Sequence, residues 1–185
     1  METLTSQNLS TQAWKLDTNH TVISFRIKHL GLAEISGSFK EYEGSMTLQS
    51  NKLDGAEVYL KISTDSIETG NTMRDNHLKT ADFLDTALFP DITFVSTGFV
   101  PTEGNLYDLT GNLTLKGVTK NVSLKAEYRG KTKDMWGNEV VVFNLKGSID
   151  RTEFGVEWFQ LLDGNIPVIG KEIVLDMNVE LIPDA

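Results

Sequence analysis

Hydrophobic alternation with a period of two runs through almost the whole chain and restricts its fold more than any other feature. In Val22 to His29 (VISFRIKH), Ile23, Phe25 and Ile27 alternate with Ser24, Arg26 and Lys28. Successive side chains of a strand point to opposite faces, so such a run buries one face and wets the other. The pattern returns in Val58, Leu60 and Ile62, in Ile92 and Phe94, and in Tyr107, Leu109, Gly111, Leu113 and Leu115. It continues in Val122, Leu124, Ala126 and Tyr128, in Val141, Phe143, Leu145, Gly147 and Ile149, and in Ile173, Leu175, Met177 and Val179. With the segments around Ile35–Phe39 and Ser45–Leu48, these runs predict an all-β fold of about eight to ten strands.

Turn residues punctuate the runs: Asp54-Gly55, Glu103-Gly104-Asn105, Trp136-Gly137-Asn138 and Asp163-Gly164-Asn165. They tolerate the positive φ of tight hairpins, and connections this short favour antiparallel neighbours. Thr69 to Leu88 lacks alternation. There Asn71 or Thr72 is placed to cap a short helix with Asp75 in its first turn, and Met73, His77 and Ala81 share one face. Phe83, Leu84, Leu88 and Phe89 are expected to pin this helical excursion, near residues 71–89, to the sheet before Pro90 ends it. A second irregular stretch, Arg151 to Pro167, holds Phe154, Trp158 and Phe159. With no repeat or linker inside, residues 14–185 read as one domain, preceded by a polar arm over residues 1–13.

Many short strands fit a sandwich or an up-and-down barrel. Closure removes edge strands and favours the barrel. A barrel of about eight strands is either filled by side chains or holds one small ligand. The inward sets mix Phe25 and Phe143 with Gly37, Gly111 and Gly147. Glycine there leaves room or lets a strand coil sharply, so alternation alone leaves both interiors open.

Composition removes several function classes. A net charge of −9 argues against nucleic acid, which needs a basic footprint, and against adsorption to anionic headgroups. The absence of cysteine excludes disulfides, thiol catalysis and cysteine metal sites. No run approaches the roughly 18 apolar residues of a membrane helix, so no stable membrane insertion is expected. Met1 to Ala13 has neither a basic nor an apolar signal region. The expected compartment is the cytoplasm, or the periplasm if a signal has been removed.

Catalytic motifs are missing: there is no HExxH, GxSxG, P-loop or GxGxxG. The carboxylates Asp17, Asp75, Asp82 and Asp85 read as capping and turn residues. The three histidines, His20, His29 and His77, have no spacing that enforces a shared metal. Arg74-Asp75-Asn76-His77 is the densest polar cluster, either a salt-bridged helix start or a clamp for a ligand headgroup.

Four stretches then carry a family resemblance. They are Trp14-Lys15-Leu16-Asp17 with His20, Phe25 and Ile27-Lys28-His29-Leu30-Gly31; Ile35, Gly37 and Phe39; and Ser66-Ile67-Glu68-Thr69-Gly70 with Arg74-Asp75-Asn76-His77-Leu78-Lys79, Asp82-Phe83 and Phe89-Pro90-Asp91-Ile92-Thr93-Phe94. The fourth is Leu109 to Lys120 (LTGNLTLKGVTK), echoed by Ile149-Asp150-Arg151-Thr152-Glu153-Phe154-Gly155. In this order, from Trp14 to Ile182, the chain resembles the YceI-like family of bacterial polyisoprenoid-binding proteins. Leu84, where the family often has a second phenylalanine, and Thr21, where it often has serine, are small departures.

The resemblance implies an extended antiparallel, lipocalin-like barrel around an apolar tunnel for isoprenoid quinones, polyprenyl phosphates or other long-chain lipids. It implies no catalytic activity and no cofactor beyond that ligand, and often a homodimer. The candidate lining is Ile23, Phe25, Ile27, Phe39, Val58, Leu60, Ile62, Phe94, Leu109, Leu113, Val122, Leu124, Phe143 and Leu145. His29, Arg74 and His77 are the candidates for a polar mouth, and Trp158 and Phe159 for a lip. The rival expectation is a metal- or histidine-dependent hydrolase in which His29 and His77 converge at the barrel mouth.

Overall fold

The alternating runs pair with one another antiparallel, and the ladder closes on itself. This computed structural model describes residues 11–49 and 52–184. Its strands are β1 (Thr11–Leu16), β2 (Val22–His29), β3 (Ala33–Phe39), β4 (Tyr42–Gln49), β5 (Lys52–Ser63), β6 (Ile67–Glu68), β7 (Asp91–Pro101), β8 (Leu106–Leu115), β9 (Val118–Lys133), β10 (Glu139–Asp150), β11 (Leu161–Leu162), β12 (Ile166–Pro167) and β13 (Ile169–Pro183), with one short helix, α1 (Thr72–Leu78). Eight of them form the ring β1-β4-β5-β7-β8-β9-β10-β13, and β13 pairs back onto β1.

β13 makes closure possible because it serves two partners on one edge. Leu181 to Pro183 pair with β1 (Leu16↔Leu181, Trp14↔Pro183), while Ile169 to Asn178 pair with β2. β1 and β2 therefore lie end to end, and β4 and β3 follow them in the next position. Thr21 Oγ1 ties the β1–β2 junction to β13 by donating to the Glu180 carbonyl at 3.2 Å and accepting from its N–H at 3.0 Å. His20 Nδ1 lies 2.7 Å from Asp17 Oδ2 and 3.6 Å from Glu180 Oε1 in the same junction.

Hydrogen bonding between His20 and Asp17 raises the imidazole pKa above its ordinary value and lowers that of the carboxyl. A raised histidine stabilises the fold fully below about pH 6.5 and loses that contribution as pH rises through its folded pKa. The lowered carboxyl contributes above about pH 3.9 and loses it as pH falls. The Tm difference between the wild type and His20→Gln is therefore expected to be largest between about pH 4.5 and 6 and to shrink by pH 8.5. Thermal melts across that range check it, and a pH-independent difference refutes the assignment.

At the other end of β2 and β3 the wall is not a regular ladder. β6 covers the edge of β3 (Phe39↔Ile67), and β5 pairs with β7 only as far as Ser63↔Asp91. The segment between β5 and β7 fills the gap. Its two ends are tied by Thr64, which is 1% exposed and donates from N to Pro90 O and from Oγ1 to Phe89 O, both at 2.8 Å. Asn71 caps α1, its side chain accepting from Arg74 N at 3.0 Å. Phe83 and Leu84 are buried anchors, whereas Leu88 points outward at 67% exposure because the tight turn from Asp85 carries it away from the sheet.

Two other expectations shift. Asp54-Gly55 is not a hairpin turn: both residues lie inside β5, where Gly55 has a φ of +75° and the β4–β5 register slips between Thr47 and Gln49. A glycine at positive φ accommodates an extra residue in a strand without breaking the pairing. Of the polar arm, residues 1–10 lie outside the described residues, and Thr11 to Ala13 already belong to β1, paired with Gln49, Leu48 and Thr47. No helix among the described residues is long and apolar enough to cross a membrane.

Candidate ligand cavity

The barrel is hollow at the β2–β3 end. A cavity of about 490 Å³ is enclosed by β2, β3, β5, β7, β8, β9, β10 and β13, with α1 and the 151–168 loop over its mouth. That volume lies within the roughly 300–1,000 Å³ of small-molecule sites. All but six of its lining residues are apolar; the six are Ser24, His29, Thr69, Arg74, His77 and Arg151.

The alternation places the lining. Ile23, Phe25, Ile27, Phe39, Val58, Leu60, Ile62, Phe94, Leu109, Leu113, Val122, Leu124 and Leu145 all face this cavity. Phe143 does not. It points inward one level deeper, into a second apolar space of about 60 Å³ that shares Leu60, Leu109, Leu145 and Met177 with the first. There it meets Phe99 edge-on (ring centroids 5.9 Å apart), while Phe99 stacks on Tyr107 at 4.9 Å and Tyr128 lies 5.4 Å from Phe143. This aromatic cluster fills the barrel beyond Leu109, so the apolar space has a packed floor where an open tunnel was expected.

The inward glycines leave no void. A Cβ on Gly37 would stand 2.4 Å from Phe25 Cζ, on Gly111 2.3 Å from Phe94 Cζ, and on Gly147 2.4 Å from Leu124 Cδ2. Each glycine is the bed on which a neighbouring side chain lies flat against the wall. A ring pressed to the wall stays out of the lumen, so these glycines keep the cavity open indirectly.

The mouth is roofed by two irregular segments that meet through aromatic rings. Trp158 lies 5.4 Å from Phe83 and 5.8 Å from His77, and His77 meets Phe83 edge-on at 5.0 Å. Trp158 lines the cavity, but Phe159 points away at 56% exposure, because consecutive residues of an extended segment face opposite ways. Arg74 donates from Nε to Thr69 Oγ1 at 2.6 Å and from Nη2 to Thr69 O at 2.7 Å.

Among the lining residues that sequence reasoning did not nominate, Arg151 is the charged one. It is 2% exposed and donates to three backbone carbonyls: Gly170 from Nε at 2.8 Å, Val156 from Nη1 at 2.5 Å and Trp158 from Nη2 at 2.9 Å. Burial pulls its pKa below the usual guanidinium value, and nearby Asp150 opposes that. These three bonds fold the 151–170 loop back over the mouth.

His29 and His77 both line the cavity, and among the described residues neither belongs to a group of three ligand-type side chains close enough to hold an ion. His77 Nε2 lies 2.8 Å from Asp82 Oδ2 on the roof. Among the described residues, the one group of three ligand-type side chains close enough to hold an ion is Asp17, His20 and Glu180, at the β1–β2 junction rather than the mouth.

A family model described as the YceI-like domain matches residues 14–181. This chain belongs to the YceI-like family. Protein YceI of Salmonella arizonae is 40% identical over 145 residues, 77% of this chain and 75% of that one. The YceI protein of Campylobacter jejuni, solved by crystallography, superposes with a TM-score of 0.74 at 30% identity, covering 92% of this chain and 97% of that one. A polyisoprenoid binding domain from Saccharophagus degradans shares the fold at a TM-score of 0.71 and 15% identity, over 94% of this chain and 99% of that one. The YceI-like fold thus carries this cavity on a barrel whose strands run over nearly the whole chain.

Proposed function

We propose that this protein binds a long-chain isoprenoid lipid, with the chain along the apolar cavity and the head at the mouth, and so carries or stores it shielded from water. The observation that carries this reading is the apolar cavity of about 490 Å³ in a barrel that could have been filled by its own side chains. The polyisoprenoid binding described for the Saccharophagus degradans domain of the same fold supports it. Each buried CH₂ contributes roughly 0.8 kcal/mol. Micromolar affinity needs about 8 kcal/mol net of the cost of ordering the chain, which three or four buried isoprene units supply. Among the described residues, the lining has no carboxylate–nucleophile pair of the kind acid–base or covalent catalysis uses, so the arrangement suits holding a ligand rather than transforming it.

Two measurements test the proposal. Organic extraction of the purified protein followed by mass spectrometry is expected to release a long-chain isoprenoid. Titration with geranylgeraniol is expected to change the emission of Trp158, and Trp158→Phe is expected to lose most of that change. Recovery of only short polar molecules, together with no response to geranylgeraniol or its phosphate, refutes the reading.

A further inference from the structure

Several of the apolar side chains that the fold leaves in water stand around the mouth of the cavity. Phe159, Leu161, Leu162 and Ile166 are exposed on the 151–168 loop, Leu32 on the β2–β3 turn and Met73 on α1. Backbone bonds hold the turn beside the loop: Leu30 N donates to the Val168 carbonyl at 3.0 Å, and Val168 N to that of Gln160 at 2.9 Å. Met73 precedes Arg74, which lines the cavity from the other half of the roof. From Trp158 to Val168 (WFQLLDGNIPV) the single charged residue is Asp163, in a chain that is 23% charged.

The shape of this loop says what covers it. β11 and β12 form a two-stranded ladder apart from the barrel, with Leu161 opposite Pro167 and Leu162 opposite Ile166. Consecutive strand residues face opposite ways, so Leu161 and Leu162 stand on the two faces of the hairpin. Both are 45% exposed, and Ile166 is 42% exposed. A protein partner covers one face of a hairpin, whereas the interface of a bilayer covers both. The position agrees, because the roof is closed by the rings of Trp158, Phe83 and His77. A ligand chain that enters by the mouth parts these rings. In water that step exposes the rings and the chain together; at a bilayer surface both stay in apolar surroundings. Charge selects the surface. A protein of net charge −9 is repelled by anionic headgroups and not by zwitterionic ones. Asp163, at the tip, keeps the hairpin at headgroup depth, since a carboxylate is costly in the hydrocarbon.

We infer that the β11–β12 hairpin, with Leu32 and Met73 beside it, docks the cavity mouth reversibly on a zwitterionic lipid bilayer, and that the apolar ligand is loaded and released across this contact. The loading role rests on the container reading; the docking surface stands on the hairpin itself.

The test separates docking from binding. Ligand-free phosphatidylcholine vesicles are expected to carry the wild type up a density gradient, and the combined variant Leu161→Ser, Leu162→Ser, Ile166→Ser is expected to cut the floated fraction at least fivefold. Trp136→Ser, which removes an exposed ring on the β9–β10 turn beyond the packed floor, is expected to float like the wild type. Replacing about a third of the phosphatidylcholine with phosphatidylglycerol is expected to lower the floated fraction at least threefold at low salt. With geranylgeraniol in the vesicles, the triple variant is expected to take it up at least tenfold more slowly than the wild type, read from Trp158 emission. Its affinity for geranylgeraniol delivered from cyclodextrin is expected to stay within twofold, because none of the three residues lines the cavity. Uptake from vesicles at the wild-type rate, or tighter binding to the anionic vesicles, overturns the inference and leaves the container reading standing. Flotation of the wild type with no response to geranylgeraniol from either source overturns the container reading and the loading role, and supports the docking surface. A wild-type dimer that the triple variant turns into a monomer, with flotation unchanged, assigns the hairpin to a second copy of this chain and overturns the inference.

Discussion

Gly111→Ala is expected to unseat Phe94 and close much of the cavity. The added Cβ would stand 2.3 Å and 2.6 Å from two ring atoms of Phe94 and 2.6 Å from the Val95 carbonyl oxygen. The ring can relieve its part of the clash only by leaving the wall, and the space open to it is the lumen. The carbonyl belongs to β7, paired with β8, so relieving the second contact means shifting the ladder at its irregularity between Ser96 and Gly98. Overpacking of this kind costs about 1–3 kcal/mol, which in a domain of this size lowers Tm by roughly 2–12 °C. Affinity for geranylgeraniol should fall at least tenfold. Gly37→Ala supplies the control. Its close contacts are all with side chains, Phe25 and Thr69. It should therefore weaken binding with a smaller loss of stability. Melting curves and lipid titrations of both variants check the pair. Wild-type affinity in Gly111→Ala would show that the ring does not gate the lumen.

These glycines show where the sequence stops being legible. Period-two alternation identifies inward residues because a one-residue slip would turn every apolar side chain to solvent, so register and pattern are the same information. That is why the strand residues nominated as lining, from Ile23 to Leu145, face the interior with a single change of level at Phe143. What a glycine does inside the barrel depends on its cross-strand neighbour. Phe25 lies directly across from Gly37, and Phe94 reaches Gly111 diagonally, and neither relation is written locally in the chain.

The roof was harder to read for the same reason. Its residues have no period to betray their direction. Trp158 and Phe159 look alike in sequence and face opposite ways, and Leu88 resembles an anchor but lies outside. Arg151 was visible in the stretch that carries the family resemblance. Its burial was not, since the carbonyls that accept from it belong to a loop that takes shape by folding over it. A charged residue between a strand and a Gly-ended turn reads as exposed until its acceptors are located.

Phe143→Ala tests how the cavity ends. Phe143 is 3% exposed and lines the smaller apolar space, which is divided from the main cavity by side chains that line both, Leu60, Leu109, Leu145 and Met177 among them. Removing the ring costs about 3–5 kcal/mol through lost burial and the void left behind. In return the smaller space grows by the volume of the ring and gives the shared side chains room to yield to a longer ligand chain. A void lined by aliphatic side chains stays dry, and an apolar chain can fill it. Lengthening the prenyl chain beyond what the wild type accommodates should therefore gain affinity in Phe143→Ala and gain little in the wild type. The added ligand should also recover part of the lost Tm, because a molecule that binds only the folded state stabilises it in proportion to its saturation. A series of prenyl alcohols of increasing length, titrated into both proteins and followed by melting, reads both effects. If the length at which affinity levels off is the same in the two proteins, Phe143 does not set the floor, and the chain leaves the cavity by another route.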